Sequence, residues 1–134
     1  MGYRSDVMAA FYVKDKKHFP VLKLWLDENF PMEMFKDQIN WFDRGMILED
    51  GNTKWYADYE EVEAFDAAVH TYLKLVHNSS VEQQDVPEFC YEFVRIGENY
   101  DDIDAEYEGI SCEWLLGVNR EITCDVRYTN ERDV

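Results

Sequence analysis

The sequence predicts an α+β fold, a mostly antiparallel sheet with two helices packed on one face, and three observations carry that reading. Two stretches, "FPVLKLWLDENFP" and the run from Asp58 to Asn78, place apolar residues at helical spacing. The other apolar stretches are rich in aromatic and β-branched residues or alternate with period two, as strands do. Short turn signals, above all Asp50-Gly51, separate consecutive strands, and short turns join antiparallel neighbours.

Taken in order, "YRSDVMAAFYV" is a strand whose aromatic and β-branched residues gather toward its end. Lys14, Lys16 and Lys17 follow as the one basic cluster, expected in a solvated connection. In the first helix Leu22, Trp25, Leu26 and Phe30 share a face. Pro20 suits the first turn, where its missing N–H costs nothing, and Pro31 ends the helix. Asp50-Gly51 between "MIL" and "TKWY" predicts a hairpin, since both residues tolerate positive φ.

Asp58 with Glu61 three residues on reads as a capping box with Asp in place of Ser or Thr. Val62, Phe65, Val69, Tyr72, Leu73 and Val76 then form a clean stripe, with Glu60, Glu61 and Glu63 where the helix dipole favours anions and Asn78 at the close. "NSSVEQQDVP" is a loop, and "EFCYEFVRI" is a strand covered on both faces. "GENYD" turns the chain so that "DIDAEYEG" returns antiparallel. A last long strand is predicted from Trp114 to about Tyr128, with Leu116, Val118, Ile122, Cys124 and Val126 apolar and Arg120 interrupting the phase. The order is β-α-β-β-α-β-β-β, a ferredoxin-like start plus an added hairpin, in a single domain over residues 1–134.

A chain of 134 residues can bury roughly two thirds of its unfolded surface around one core. With 46% hydrophobic and 16% aromatic residues, its acidity belongs to a folded object and not to a disordered tail. Thirteen basic and 29 acidic residues give a formal net charge of -16. Direct nucleic-acid and membrane binding are therefore not expected, because both need a positive footprint. The charge is polarised: residues 1–57 carry -1 and residues 58–134 carry -15, and between Glu82 and Glu113 the only base is Arg95. Solubility alone needs no such asymmetry.

Cys90, Cys112 and Cys124 are odd in number and lack a C-x-x-C pattern, which argues against a disulfide framework or a zinc site. Cys90 and Cys124 fall at apolar-phase positions and read as small buried hydrophobes. No signal peptide or membrane-length apolar run is read, and "MGYRSD" carries Asp6 where myristoylation needs Ser or Thr. The expected location is cytoplasmic.

The stretch "DIDAEYEG" puts Asp102, Asp104, Glu106 and Glu108 at every second position. On a strand their charges share one face about 6.6 Å apart, at roughly 3.3 Å per residue. Glu98 and Asp101 stand nearby in sequence. Carboxylates so close raise one another's pKa and weaken a fold unless something uses them. A regular row of negative charge resembles a nucleic-acid backbone in sign and linearity, so a basic groove of another protein is a fitting partner. The same row also describes an ordinary charged edge strand that resists aggregation. Asp102, Asp104, Glu106 and Glu113 match positions one, three, five and twelve of a calcium loop, but Tyr107 stands where glycine is required and the flanks read as strands.

Catalysis is not expected. His18, His70 and His77 are remote from any nucleophile turn, and no G-x-S-x-G, H-E-x-x-H or phosphate-binding loop occurs. No cofactor is implied. Trp41, Trp55, Tyr56 and Tyr59 crowd one stretch; core packing accounts for most aromatics, while Trp55, Tyr56 and Tyr59 are candidate interface anchors, which admits a homodimer.

"MGYRSDV" at the start, "KWY" before the second helix and "FVRIGENYDD" later resemble a group of small acidic proteins encoded by bacteriophages and prophages. The resemblance brings no catalytic residue with it. It implies expression in a bacterial cytoplasm and a setting in which acidic proteins block host nucleic-acid-binding machinery, restriction and CRISPR complexes included. The leading expectation is thus a non-enzymatic, anti-CRISPR-like inhibitor that binds a basic host protein through Glu98, Asp101, Asp102, Asp104, Glu106 and Glu108, acting as a DNA mimic. The alternatives are a self-associating accessory or assembly protein whose acidity serves solubility, and a calcium-binding module.

Overall fold

The computed structural model describes residues 2–79, 86–99, 101–118, 122–124 and 126. Its centre is β1 (Ser5–Val13), followed by a 3-10 turn at Lys16–His18 and α1 (Phe19–Asn29). Then come β2 (Ile39–Phe42), β3 (Gly45–Thr53), α2 (Glu60–Asn78), β4 (Phe89–Gly97) and β5 (Ile103–Glu108). These strands form one antiparallel sheet in the order β2-β3-β1-β4-β5. β1 and β2 run parallel on either side of β3, joined through α1, which is the split β-α-β arrangement of the ferredoxin-like start.

Both helices cover the same face. Leu22 and Leu26 of α1 meet Val62, Phe65, Val69, Tyr72 and Val76 of α2 over Val7, Ala9, Phe11, Val13, Met46, Leu48 and Tyr91 of the sheet. Phe11 sits at the centre, with Phe30, Phe65, Tyr72 and Tyr91 rings 5.1–6.2 Å away. Aromatic rings held at these separations add edge-to-face attraction to their burial. Leu73, read as part of the stripe, is only partly buried at its edge. α2 begins one residue later than the sequence suggested: its N-cap is Tyr59, in extended conformation and without a side-chain capping bond, so the Asp58 capping box does not form.

The predicted hairpin at Asp50-Gly51 lies elsewhere. The chain reverses at Asp43-Arg44, between β2 and β3, and β3 runs straight through Asp50 and Gly51. Gly45 is needed just after that turn, because a Cβ there would lie 2.2 Å from the Phe11 carbonyl oxygen. The positive-φ chemistry of "DGN" is spent on a β-bulge: Ser5 pairs with Thr53 but Val7 with Asp50, which leaves one extra residue on β3. Asn52 takes φ 53°, and its backbone N–H donates to Asp6 Oδ1 at 2.8 Å.

The last strand is also not one strand. Leu116–Val118 (β6) and Ile122–Cys124 (β7) pair with each other, Val118 opposite Ile122, as a two-stranded hairpin. Together with Leu115 they cover the sheet face opposite the helices, over Met8, Ala10, Tyr12, Ile47, Cys90, Val94 and Ile96. The remainder of the predicted strand, from residue 127 on, and most of the "NSSVEQQDVP" loop lie outside the described residues.

One carboxylate clamps this cover. Glu92, on β4, is fully buried and accepts hydrogen bonds from the Tyr12 hydroxyl, from the backbone N–H groups of Leu115 (3.0 Å) and Leu116 (2.8 Å), and from Cys112 Sγ (3.3 Å). All three cysteines are free. Burial pushes the Cys90 thiol up to about 12, as befits a small hydrophobe in a core. No helix among the described residues is long and apolar enough to cross a membrane.

Candidate protein-binding edge

β5 is the sheet edge on the β4 side, and its register fixes where each carboxylate points. Asp104, Glu106 and Glu108 lie opposite Arg95, Phe93 and Tyr91. Phe93 and Tyr91 pack into the helix-side core, so the three acids stand on the helix side of the sheet, just beyond α2. Ile103, Ala105 and Tyr107 face the other way, opposite Ile96, Val94 and Glu92.

The six predicted carboxylates are not equivalent. Asp102 precedes β5 and belongs to the turn. Its Oδ1 lies 2.6 Å from Arg95 Nη2, and its Oδ2 accepts from the Tyr3 hydroxyl. Arg95, then Tyr3, hold the Asp102 carboxyl below the usual carboxylate range. Asp104 Oδ2 takes two further bonds from the same guanidinium, at 2.7 and 2.9 Å. Glu98 accepts the backbone N–H of Arg4 at 2.7 Å, and Asp101 is exposed in the turn. The uniform stripe of four acids expected from the sequence is thus half-neutralised at its start by Arg95, the one base in the surrounding sequence.

What remains is a shorter patch centred on Glu106. Partial desolvation, followed by Glu108, Asp104 and Asp66, raises its carboxyl above the ordinary glutamate range. Among the described residues no cation within ion-pairing distance is resolved for Glu106, while Glu108 has His77 Nε2 3.8 Å away. Asp66, from the flank of α2, is the member that sequence reading missed. Its carboxyl is raised by burial. The signal was present, since Asp66 and His77 fall on one flank of the helix beside the apolar stripe.

The calcium positions are not brought together. Asp102 and Asp104 turn to Arg95, and Glu113 pairs with Arg44 at 2.6 Å. Among the described residues no group of three or more His, Cys, Asp or Glu could hold a metal ion. The aromatic candidates are half-buried and make contacts within the fold. Trp55 packs against Phe65 and Phe35, with Phe93 close by. Tyr56 and Tyr59 meet edge to face at 5.0 Å, and the Tyr56 hydroxyl accepts from the Tyr3 backbone N–H. Trp55 and Tyr59 line a cleft of about 350 Å³ that also holds Arg4, Lys54, Asp50 and Glu61.

No protein-family model, curated protein or solved structure matches this chain.

Proposed function

We propose that this chain is a phage-type acidic protein that works in a bacterial cytoplasm, without catalysis, by binding and inhibiting a host nucleic-acid-binding protein. The observation that carries the reading is Glu106: a carboxylate without a resolved cationic partner among the described residues, placed beside Asp104, Glu108 and Asp66 on a sheet edge. Crowded like charges cost stability, and an incoming lysine or arginine relieves that repulsion where water only screens it.

In this mechanism the edge occupies a basic groove that otherwise holds nucleic-acid phosphates, which makes the protein anti-CRISPR-like in effect and a DNA mimic in charge. The net charge of -16 steers encounter over distances beyond contact, so association is fast and falls steeply with salt. Arg95 narrows the mimic to Asp66, Glu106 and Glu108 with Asp104 at its end, while Glu98, Asp101 and Asp102 serve the turn that precedes it.

The test is capture from bacterial lysate on immobilised native protein and on an E106Q/E108Q variant, each at low and high salt. Nucleic-acid-binding proteins retained by the native chain at low salt, and released by salt or by the two substitutions, are the expected result. Equal capture by both chains would overturn the proposal.

A further inference from the structure

β5 carries a second surface, on the face away from the acids. Trp114 is 63% exposed and stacks flat on Tyr107, with ring centroids 3.9 Å apart and planes at 25°. Its backbone is held at φ 56°, a left-handed conformation that a bulky side chain rarely adopts. Tyr107 is fixed in turn by its hydroxyl, which donates to the Leu116 carbonyl at 2.8 Å. Ile103 adds exposed apolar surface, at 39%, and Ala105 between Ile103 and Tyr107 is exposed as well. Among the described residues no strand pairs with β5 on the side away from β4.

A strand edge left open among the described residues, with apolar surface on one face and carboxylates on the other, specifies what can lie along it. A strand added there sends its side chains alternately to the two faces. One set falls beside Asp104, Glu106 and Glu108, and the other falls on Ile103, Ala105 and the Tyr107–Trp114 stack. A second copy of this chain is the wrong occupant, because edge-to-edge pairing would set one acidic row against another. We infer that β5 is completed by an extended segment of a basic protein that alternates arginine or lysine with apolar residues.

The inference rests on the proposed cation-binding role of this edge and adds the mode of docking, so its test separates the two. The probe is a synthetic peptide of about six residues that alternates arginine and valine, titrated by calorimetry into the native protein. Comparators are an isomer with its arginines and valines in two blocks, and two alternating peptides N-methylated at one or the other set of alternate backbone nitrogens. The alternating peptide is expected to bind at least ~10-fold more tightly than the block isomer, and to slow hydrogen exchange at the amides of 103–108. One of the two N-methylated forms is expected to lose binding, since only one set of nitrogens faces β5. W114A, at an exposed position, is expected to weaken the alternating peptide by roughly 10-fold with its circular dichroism unchanged. Equal affinity of the two isomers, with E106Q weakening both alike, would overturn strand addition and leave the acidic-edge reading standing. No binding of either isomer at low salt would overturn both, and a protein dimer that persists at low salt would replace the basic segment with a second copy.

Discussion

Replacing Glu92 by alanine tests how the sheet holds the cover on its second face. The carboxylate is fully buried and accepts from four groups: the Tyr12 hydroxyl, two backbone amides and a thiol. Alanine leaves the Leu115 and Leu116 N–H groups without acceptors in a site that admits no solvent, at about 1–3 kcal/mol each. The Tyr12 hydroxyl loses its acceptor while keeping the Glu113 N–H as a donor to its oxygen, a further cost of about 1 kcal/mol. The thiol bond is weak and adds little. The sum is about 5 kcal/mol, a large share of the 5–15 kcal/mol typical of a domain. Glutamine is nearly isosteric but turns one acceptor into a donor facing donors, so it recovers only part, and about 2–3 kcal/mol of loss remains. Urea unfolding gives the global figure, and native-state hydrogen exchange at Leu115 and Leu116 shows whether the cover lifts before the sheet opens. An alanine variant within 0.5 kcal/mol of the native chain, or one whose Leu115 and Leu116 amides keep their protection, would refute the claim that Glu92 clamps the β6–β7 cover.

The Arg95→Gln variant removes the guanidinium from Asp102 and Asp104, so the edge becomes more negative; affinity for the alternating cationic peptide is expected to rise roughly threefold at low salt, as measured by calorimetry, and the urea midpoint to fall. Glu106 binds its proton more readily when folded than unfolded, so it contributes stability that fades as pH rises from the ordinary glutamate value near ~4.3 through its raised folded value. Glu106→Gln is expected to flatten that fall in a pH series of unfolding curves. Asp102 has the opposite sign: its lowered carboxyl contributes stability that is lost as pH falls through the folded value, a loss expected to disappear in Asp102→Asn. Gly45→Ala sets a methyl group against the Phe11 carbonyl and the Tyr12 backbone, and is expected to cost about 1–3 kcal/mol in urea unfolding.

Both helices were legible because a 3.6-residue apolar period over 11 residues in α1 and 19 in α2 has no competing explanation. The misplaced hairpin shows where local chemistry is ambiguous. Asp50-Gly51-Asn52 supplies residues that accept positive φ, and a bulge uses them as readily as a turn does. The true turn, Asp43-Arg44, lacks the glycine that would have marked it. The single long strand at the end failed for a reason of parity. Three residues separate Val118 from Ile122 in the sequence, so Leu116 before the reversal and Ile122 and Cys124 after it share one parity, pack on the same sheet face and leave the alternation unbroken. At the candidate site, the sequence could show that acids alternate, but not that Arg95 stands opposite Asp104 across the strand pair. Cross-strand register is a tertiary fact, and it decides which carboxylates are spent within the fold. The Tyr107–Trp114 stack was hidden in the same way, since the two rings meet only once the chain has turned at Gly109, whose φ of 115° few other residues accept.

The most direct measurement is displacement. A nucleic-acid-binding protein captured on the immobilised chain is eluted with salt, returned to low salt and loaded with labelled duplex DNA, and native protein is titrated in while released DNA is followed. Release that saturates with the native chain, weakens as salt is raised and fails with E106Q/E108Q is the result expected if this edge fills a phosphate-binding groove. DNA that stays bound at saturating native protein, or that the doubly neutralised variant releases equally well, would contradict the account.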